Sequence, residues 1–164
     1  MAPPSEQDEQ ASGRRHPRVN GFGSHGPTVL ELSLRADLVS ASIARDELAA
    51  WLVDHAWPPA HADELVLVVS EAVTNSIQHG YGVGPDTYDH PGLVRVRAEV
   101  GPGPHGFRRV HLVVSDDGRW REPAERLRPG HGLFLIRALV AEMTIDGRSE
   151  GTTVTIASRV SPVR

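Results

Sequence analysis

A helix is predicted for the segment Glu64-Leu-Val-Leu-Val-Val-Ser-Glu-Ala-Val-Thr-Asn-Ser-Ile-Gln-His-Gly80, because its apolar residues recur at helical spacing. On that helix Glu71, Asn75 and His79 are four residues apart and form one polar stripe. Buried polar groups cost free energy unless they are paired, so the stripe either faces water or belongs to a network or a ligand site. The residues beside the stripe are apolar or small: Leu65, Val66, Val69, Ala72, Val73, Ser76 and Ile77.

The composition excludes several classes of protein. The chain has 164 residues and a net charge of -4, which suits one domain with an ordinary core. No cysteine is present, which rules out disulfides and thiolate-bound zinc, and every fixed cation is an arginine. No basic run interleaved with aromatics points to direct nucleic-acid binding. Neither a membrane-length apolar run nor a signal-peptide layout is visible, so we expect a cytoplasmic protein.

The remaining segments predict an α+β protein. Residues 1–27 hold almost no apolar side chains and are expected to form a disordered tail, followed by a single domain over residues 28–160. Alternation predicts an edge strand at residues 28–35, a hairpin at 93–115 and a final hairpin from 143 to 157. A helix capped by Asp37 is expected over residues 38–55, and a further helix over 133–140. We therefore expect a two-layer sandwich, with helices on one face of a mixed, mostly antiparallel sheet.

Three later segments carry residues suited to a ligand. Each also has an ordinary structural explanation: a tight turn, a loop that meets a helix, or a strand of high β-propensity. A carboxylate followed by glycine lets a flat ring approach the backbone, and glycines at a helix N-terminus expose N–H groups to phosphate. Hydroxyls at the start of a strand can bond a ligand edge. The segments are Asp116-Asp-Gly118, Gly130-His-Gly132-Leu133 and Gly151-Thr-Thr153-Val.

Together with the first helix, these segments resemble the ATP-binding signature of the GHKL superfamily, which includes gyrase, heat-shock chaperones, histidine kinases and mismatch-repair ATPases. The order is Ser70-Glu-Ala-Val-Thr-Asn-Ser-Ile-Gln-His-Gly80 and then the three later segments. Within the superfamily the chain most resembles bacterial anti-sigma-factor serine kinases and related actinobacterial ATP-binding regulators. Val-Ser-Glu-Ala-Val-Thr-Asn75 and Asp116-Asp-Gly-Arg-Trp-Arg-Glu-Pro123 carry that narrower resemblance, which covers roughly residues 28–158.

The resemblance implies the Bergerat (GHKL) fold and a role for each phosphate-side residue. Glu71 would act as general base toward an attacking hydroxyl, and Asn75 would ligate Mg²⁺ through its side-chain oxygen. The glycine-bearing segment that opens the third helix would bind the ATP phosphates, with residues 119–129 as a lid. Its implied binding residues are Gly130, His131, Gly132 and Leu133.

The resemblance also implies the adenine side of the site. Asp116 would accept a hydrogen bond from the adenine amine, Gly118 would let the ring lie close, and Thr153 would bond near the adenine. His79 is interpreted as a supporting residue, because no second histidine stands at metal-binding spacing. One departure concerns Trp120, which stands where the family often has the second glycine of its second motif.

The function implied is an ATP- and Mg²⁺-dependent serine/threonine protein kinase. It would phosphorylate an anti-anti-sigma protein of the STAS type and sequester a sigma factor, without binding nucleic acid or membrane directly. A homodimer that uses the sheet side near residues 29–35 is implied as well. The alternative is a nucleotide-dependent regulatory binding module with little or no kinase activity.

Overall fold

The computed structural model of the chain describes residues 28–81, 92–118 and 131–162. The expected tail and lid therefore lie outside the described residues, as does Trp120. Five strands are described: β1 (Val29–Arg35), β2 (Leu93–Pro102), β3 (Arg108–Asp116), β4 (Glu142–Arg148) and β5 (Gly151–Ala157). The helices are α1 (Ser40–Asp54), α2 (Pro59–Asn75) and α3 (His131–Leu139), with a π turn at Ser76–Gly80 and a short 3-10 turn at Pro104–Gly106.

The α+β prediction is confirmed, including the order of the elements along the chain. The sheet order is β1-β2-β3-β5-β4, which places β1 at an edge as expected. Every pairing among the described strands is antiparallel, so the sheet of this part of the chain is more regular than the mixed sheet that was expected.

The core lies between the sheet and the helices. Alternate residues of the strands point toward the helices and are buried, as strand geometry requires. The opposite face of β2 is charged: Arg97 contacts Glu31 at 3.4 Å and Glu99 at 2.6 Å. The largest fully buried side chains are Leu48, Leu52, Val68, Val69, Val73, Ile77, Val94, Val96, Val110, Leu112, Ile136 and Ile156.

The helix α1 begins two residues later than the sequence predicts. Asp37 still bonds the first turn of the helix, because its Oδ1 accepts the N–H of Ser40, the first residue of α1, at 3.0 Å. The Ser40 hydroxyl then donates to the carbonyl of Arg35 at 2.6 Å, which ties the first turn of α1 to the end of β1. This cap therefore belongs to the connection between strand and helix as much as to the helix itself.

The end of α2 differs from the sequence prediction. The sequence also predicts that Gly80, Gly82 and Gly84 stop this helix and offer left-handed conformations past its end. With the π turn included, the helix does end at Gly80, but Gly80 is not among the residues of positive φ and Tyr81 has a φ of -113°. Gly82 and Gly84 lie outside the described residues. Gly80 is needed for space: a Cβ atom built there would lie 3.0 Å from Oδ1 of Asp116.

Arg108 stabilises the C-terminal end of α1. Its guanidinium donates to the carbonyls of His55 at 2.8 Å and Ala56 at 2.7 Å, which are orphan acceptors at a helix end. The same group lies 4.8 Å from the ring centroid of Trp57, within range of a cation–π interaction. Ala56 has a φ of 48°, so this turn is strained and depends on those contacts.

Arg108→Ala removes both charge-assisted hydrogen bonds and leaves two carbonyls unpaired. We expect the free energy of unfolding to fall by about 2–3 kcal/mol, measured by urea denaturation at pH 7. Arg148→Ala is the matched control, since Arg148 is exposed and pairs only with Asp146 two residues away among the contacts described for it. An equal fall in both variants would contradict the capping role.

Candidate functional site

The end of α2 and the start of α3 meet at Glu71 and Asn75. A Cβ atom built at Gly132 would lie 2.6 Å from Oε2 of Glu71 and 3.0 Å from Nδ2 of Asn75. A side chain at residue 132 would have to displace the ends of these two side chains, so glycine leaves the first turn of α3 free to lie against them. Of the residues that the sequence grouped on the phosphate side, the structure brings Glu71, Asn75 and Gly132 together.

The far end of α3 is held by a second contact with α2. Arg159 donates to the carbonyl of Ala138 at 2.8 Å and lies 3.7 Å from the carboxylate of Glu64. Since Glu64 is near the start of α2 and Ala138 near the end of α3, the two helices run antiparallel. This arrangement keeps Gly132 opposite Glu71 and Asn75.

Asn75 carries a polar atom that the protein does not satisfy. Its Nδ2 is buried and has no hydrogen-bond partner within the described ranges. Such a group costs free energy unless something else bonds it, so its side chain is suited to a ligand. No group of three or more His, Cys, Asp or Glu side chains that could hold a metal is found in the described part of the chain. A cation bound here would therefore take most of its ligands from the bound molecule and from water.

Asp116 forms the other end of the site. It is the last residue of β3 and lies on the helix-facing side of the sheet, where it is 7% exposed. Its Oδ1 accepts the N–H of Gly118 at 3.0 Å, whereas its buried Oδ2 has no partner among the described residues. A buried carboxylate oxygen without a donor is a good acceptor for a ligand amine.

Burial raises the pKa of Asp116 above the ordinary value of 3.8, because desolvation disfavours the charged form. Hydrogen bonds from the Ser76 hydroxyl and from the N–H groups of Gly118 and Thr152 act in the opposite direction. Ser76 directly follows Asn75, so the two ends of the site are adjacent in space.

Glycines allow the close packing around Asp116. A Cβ atom built at Gly118 would lie 2.5 Å from the carbonyl carbon of Gly80. Gly151 has a φ of 146°, and a side chain there would collide with the carbonyl oxygen of Asp116. Both positions therefore require glycine, one for space and one for backbone conformation as well.

The sequence prediction placed the wrong threonine beside Asp116. Asp116 pairs with Thr152 in the antiparallel register, and Thr153 pairs with Ser115. Because successive side chains alternate between the faces of a sheet, Thr152 shares the face of Asp116, and Thr153 points to the other face. Thr152 is buried, 8% exposed. The sequence analysis gave the ligand-binding role to Thr153, whereas the register places Thr152, not Thr153, beside Asp116.

The structure describes some, but not all, of the other predicted site residues. His79 lies in the π turn and is half-buried, and Leu133 packs against the core from the first turn of α3. Gly130 and the side chain of His131 lie outside the described residues. The sequence analysis did not single out Ser76 or Thr152 as site residues. Its position directly after Asn75 was the only sign for Ser76. Thr152 could have been found from the alternation of side chains along the last strand.

Comparison with known families defines the class of protein to which this arrangement belongs. A model of the histidine kinase-like ATPase domain matches residues 34–158. The chain therefore belongs to the histidine kinase-like ATPase domain family, whose fold implies a nucleotide-binding site. No helix of the described residues is long and apolar enough to cross a membrane.

Individual relatives indicate which members of this family the chain is similar to. The anti-sigma F factor of Geobacillus stearothermophilus is 30% identical over 138 residues, covering 76% of this chain and 86% of that protein. That of Geobacillus kaustophilus (strain HTA426) is 28% identical over 145 residues, covering 80% and 91%. The crystal structure of the RsbU and RsbW domains of Rv1364c from Mycobacterium tuberculosis superposes with a TM-score of 0.61 and 29% identity, over 83% of this chain and 34% of that longer one. Within its family, the chain is anti-sigma-factor-kinase-like.

Asp116→Asn removes a carboxylate that burial makes unfavourable in its charged form. Because the pKa of Asp116 is higher in the folded chain, its charge destabilises the fold above that pKa, and the effect disappears below the ordinary value of 3.8. We expect the variant to be more stable than the wild type at pH 7, with the difference lost near pH 3. Urea denaturation across that range measures it.

Asp146→Asn is the control for this prediction, because Arg148 lowers the pKa of the exposed Asp146. This substitution should not stabilise the protein at neutral pH. A stability gain for Asp116→Asn that persists unchanged into acid would contradict the burial argument.

Proposed function

We propose that this chain is an ATP- and Mg²⁺-dependent serine/threonine protein kinase, which phosphorylates an anti-anti-sigma protein and sequesters a sigma factor. The single observation that carries the proposal is the contact of Gly132 with Glu71 and Asn75. It joins the start of a helix, where backbone N–H groups favour phosphate, to a carboxylate and a metal-binding amide. The anti-sigma F factor relatives support the choice of a sigma factor as partner.

Glu71 is proposed as the general base of the transfer. Its carboxylate accepts the proton of the substrate hydroxyl as the hydroxyl oxygen bonds to the γ-phosphorus of ATP. The bond from that phosphorus to the bridging oxygen breaks, and ADP leaves with the electron pair. The products are a phosphorylated serine or threonine and ADP, with the proton on Glu71 until solvent removes it.

The N–H groups at the start of α3 bind the phosphates in this proposal, and the missing side chain of Gly132 leaves them room. Asn75 would hold Mg²⁺ through its side-chain oxygen, since an amide oxygen suits a hard cation. Its buried Nδ2, a donor without a partner among the described residues, would suit a phosphate oxygen. Bound with the nucleotide, Mg²⁺ would neutralise charge on the phosphates.

The adenine is proposed to bind between the end of β3 and the start of β5. The free Oδ2 of Asp116 would accept from its exocyclic amine, and the hydroxyl of Thr152 on the same face would bond the neighbouring ring edge. Gly118, which packs against Gly80, would leave the ring access to the backbone. The adenine amine would thus meet an acceptor, Oδ2 of Asp116, that no described protein group satisfies.

A cytoplasmic homodimer is part of the same proposal. The edge strand β1 pairs with β2 on one side and with no other described strand. Leu38 and Val39, just before α1, and Ile43, in its first turn, are exposed. An unpaired strand edge and apolar side chains on one side of the domain suit a second copy of the chain.

Glu71→Gln keeps the size of the side chain and removes its basicity. We expect phosphate transfer from labelled ATP to an anti-anti-sigma protein to fall by at least about 100-fold, while the affinity for ATP changes by less than about threefold. Transfer is followed by gel autoradiography and affinity by calorimetry. Asp63→Asn is the control, because Asp63 is also an acidic residue of α2 but is exposed near the start of the helix.

Each result of this experiment selects one function. Normal transfer by Glu71→Gln would remove Glu71 as the base. Wild-type protein that retains nucleotide but never transfers phosphate would support the regulatory binding module instead. Wild-type protein whose melting temperature does not rise with ATP and Mg²⁺ would contradict nucleotide binding altogether, since a ligand of the native state must stabilise it.

Two neighbouring threonines provide a matched test of the adenine site. Thr152→Val removes a hydroxyl on the face of Asp116, and Thr153→Val removes one on the opposite face. We expect the first substitution to weaken ADP binding by about fivefold, the worth of one hydrogen bond, and the second to leave it unchanged. Calorimetry measures both, and the reverse ranking would restore Thr153 as the ligand-binding residue.

A further inference from the structure

Tyr81 connects three segments that meet beside the proposed nucleotide site. Its hydroxyl accepts the N–H of Asp117 at 3.0 Å and lies 2.9 Å from the carbonyl oxygen of Leu93. It also donates to the carboxylate of Asp117, which in turn accepts the N–H of Leu93 at 3.2 Å. We call this set of Tyr81, Leu93 and Asp117 the Tyr81 clasp.

The chain is shaped around the ring of Tyr81. A Cβ atom built at Gly92 would overlap the ring atoms, so only glycine lets the residue before β2 lie against it. Tyr81 itself is half-buried and packs against the core. The ring therefore lies against Gly92 on one side, and its hydroxyl bonds the backbone of Leu93 in β2 and of Asp117 directly after β3.

The charges at the clasp favour its present protonation state. The hydrogen bond from Tyr81 lowers the pKa of Asp117, assisted by the N–H of Leu93 and by the charge of Arg95. Burial, and then the hydrogen bond to Asp117, raise the pKa of Tyr81. At neutral pH the pair is a phenol beside a carboxylate, the arrangement in which the hydroxyl donates.

The clasp bears on the proposed site because Asp117 lies in the same turn as Asp116. Asp117 stands between Asp116, whose free oxygen faces the site, and Gly118, whose N–H bonds the other oxygen of Asp116. Tyr81 follows Gly80, against which Gly118 packs. The clasp thus fastens the turn that carries Asp116 to the end of the helix that carries Glu71 and Asn75. No substrate atom needs to touch it for this effect.

We propose that the Tyr81 clasp positions Asp116 for base recognition, and so sets how strongly the site prefers a purine that carries an exocyclic amine. This inference rests on the proposed nucleotide binding and names a specificity device for that same site. A site rejects an analogue without the donor because its buried acceptor is then left unpaired. That rejection needs the acceptor to be held in place, and a loosened turn lets Asp116 turn toward water instead.

The test compares two nucleotides that differ at the amine. ATP carries it, and inosine triphosphate has an oxygen at the same place. Calorimetry with the full chain gives the ratio of the two dissociation constants for the wild type, Tyr81→Phe and Asp117→Asn. We expect both substitutions to lower the ATP preference by about threefold to tenfold, the effect of one or two lost hydrogen bonds. Asp146→Asn, another exposed aspartate with a lowered pKa, should leave the ratio unchanged.

The ratio separates positioning from simple loss of structure. A site that is only destabilised loses affinity for both nucleotides by the same factor, so its ratio stays constant. Wild-type ratios in Tyr81→Phe and Asp117→Asn would overturn the inference and leave the proposed function intact. A wild type without ATP binding would overturn both. If Tyr81→Phe does not fold, as judged by circular dichroism, Asp117→Asn decides the matter, because its side chain is exposed.

Discussion

The carboxylate of Asp116 lies buried where β3, the π turn after α2 and the first residues of β5 meet. A charged group in such a place is unfavourable, and three donors offset only part of the cost. The surrounding chain leaves little room for side chains there. A Cβ atom at residue 118 would meet the backbone of Gly80, one at residue 80 would meet the carboxylate of Asp116, and one at residue 151 would meet the carbonyl of Asp116. The fold thus holds an acceptor in place at the expense of its own stability, as ligand sites often do.

The two ends of the proposed site depend on one another through the backbone. The Ser76 hydroxyl donates to Asp116, and Ser76 directly follows Asn75 in the chain. The proposed adenine end and the proposed phosphate end of the site are therefore close together. On the phosphate side, the backbone of α3 meets Glu71 with no side chain between them.

Local patterns were enough to predict most of the architecture. The five strands and three helices follow from alternation and helical spacing, which act within a few residues, and the resemblance in four short segments identified the family. What the sequence did not predict arises between segments. The π turn, the packing of Gly80 and the cap that Arg108 places on α1 depend on distant partners. The choice between Thr152 and Thr153 is a different case. Side chains alternate along a strand, so the pairing of Asp116 with residue 152 would have predicted that Thr152 shares its face.

The π turn at Ser76–Gly80 also affects how this chain is compared with its relatives. A π turn is an α-helix that has gained one residue without lengthening the structure on either side. Shortening this segment by one residue would therefore restore a regular helix and leave the residues on either side in place. An alignment that opens a gap of one residue between residues 76 and 80 is thus compatible with the same site in a relative.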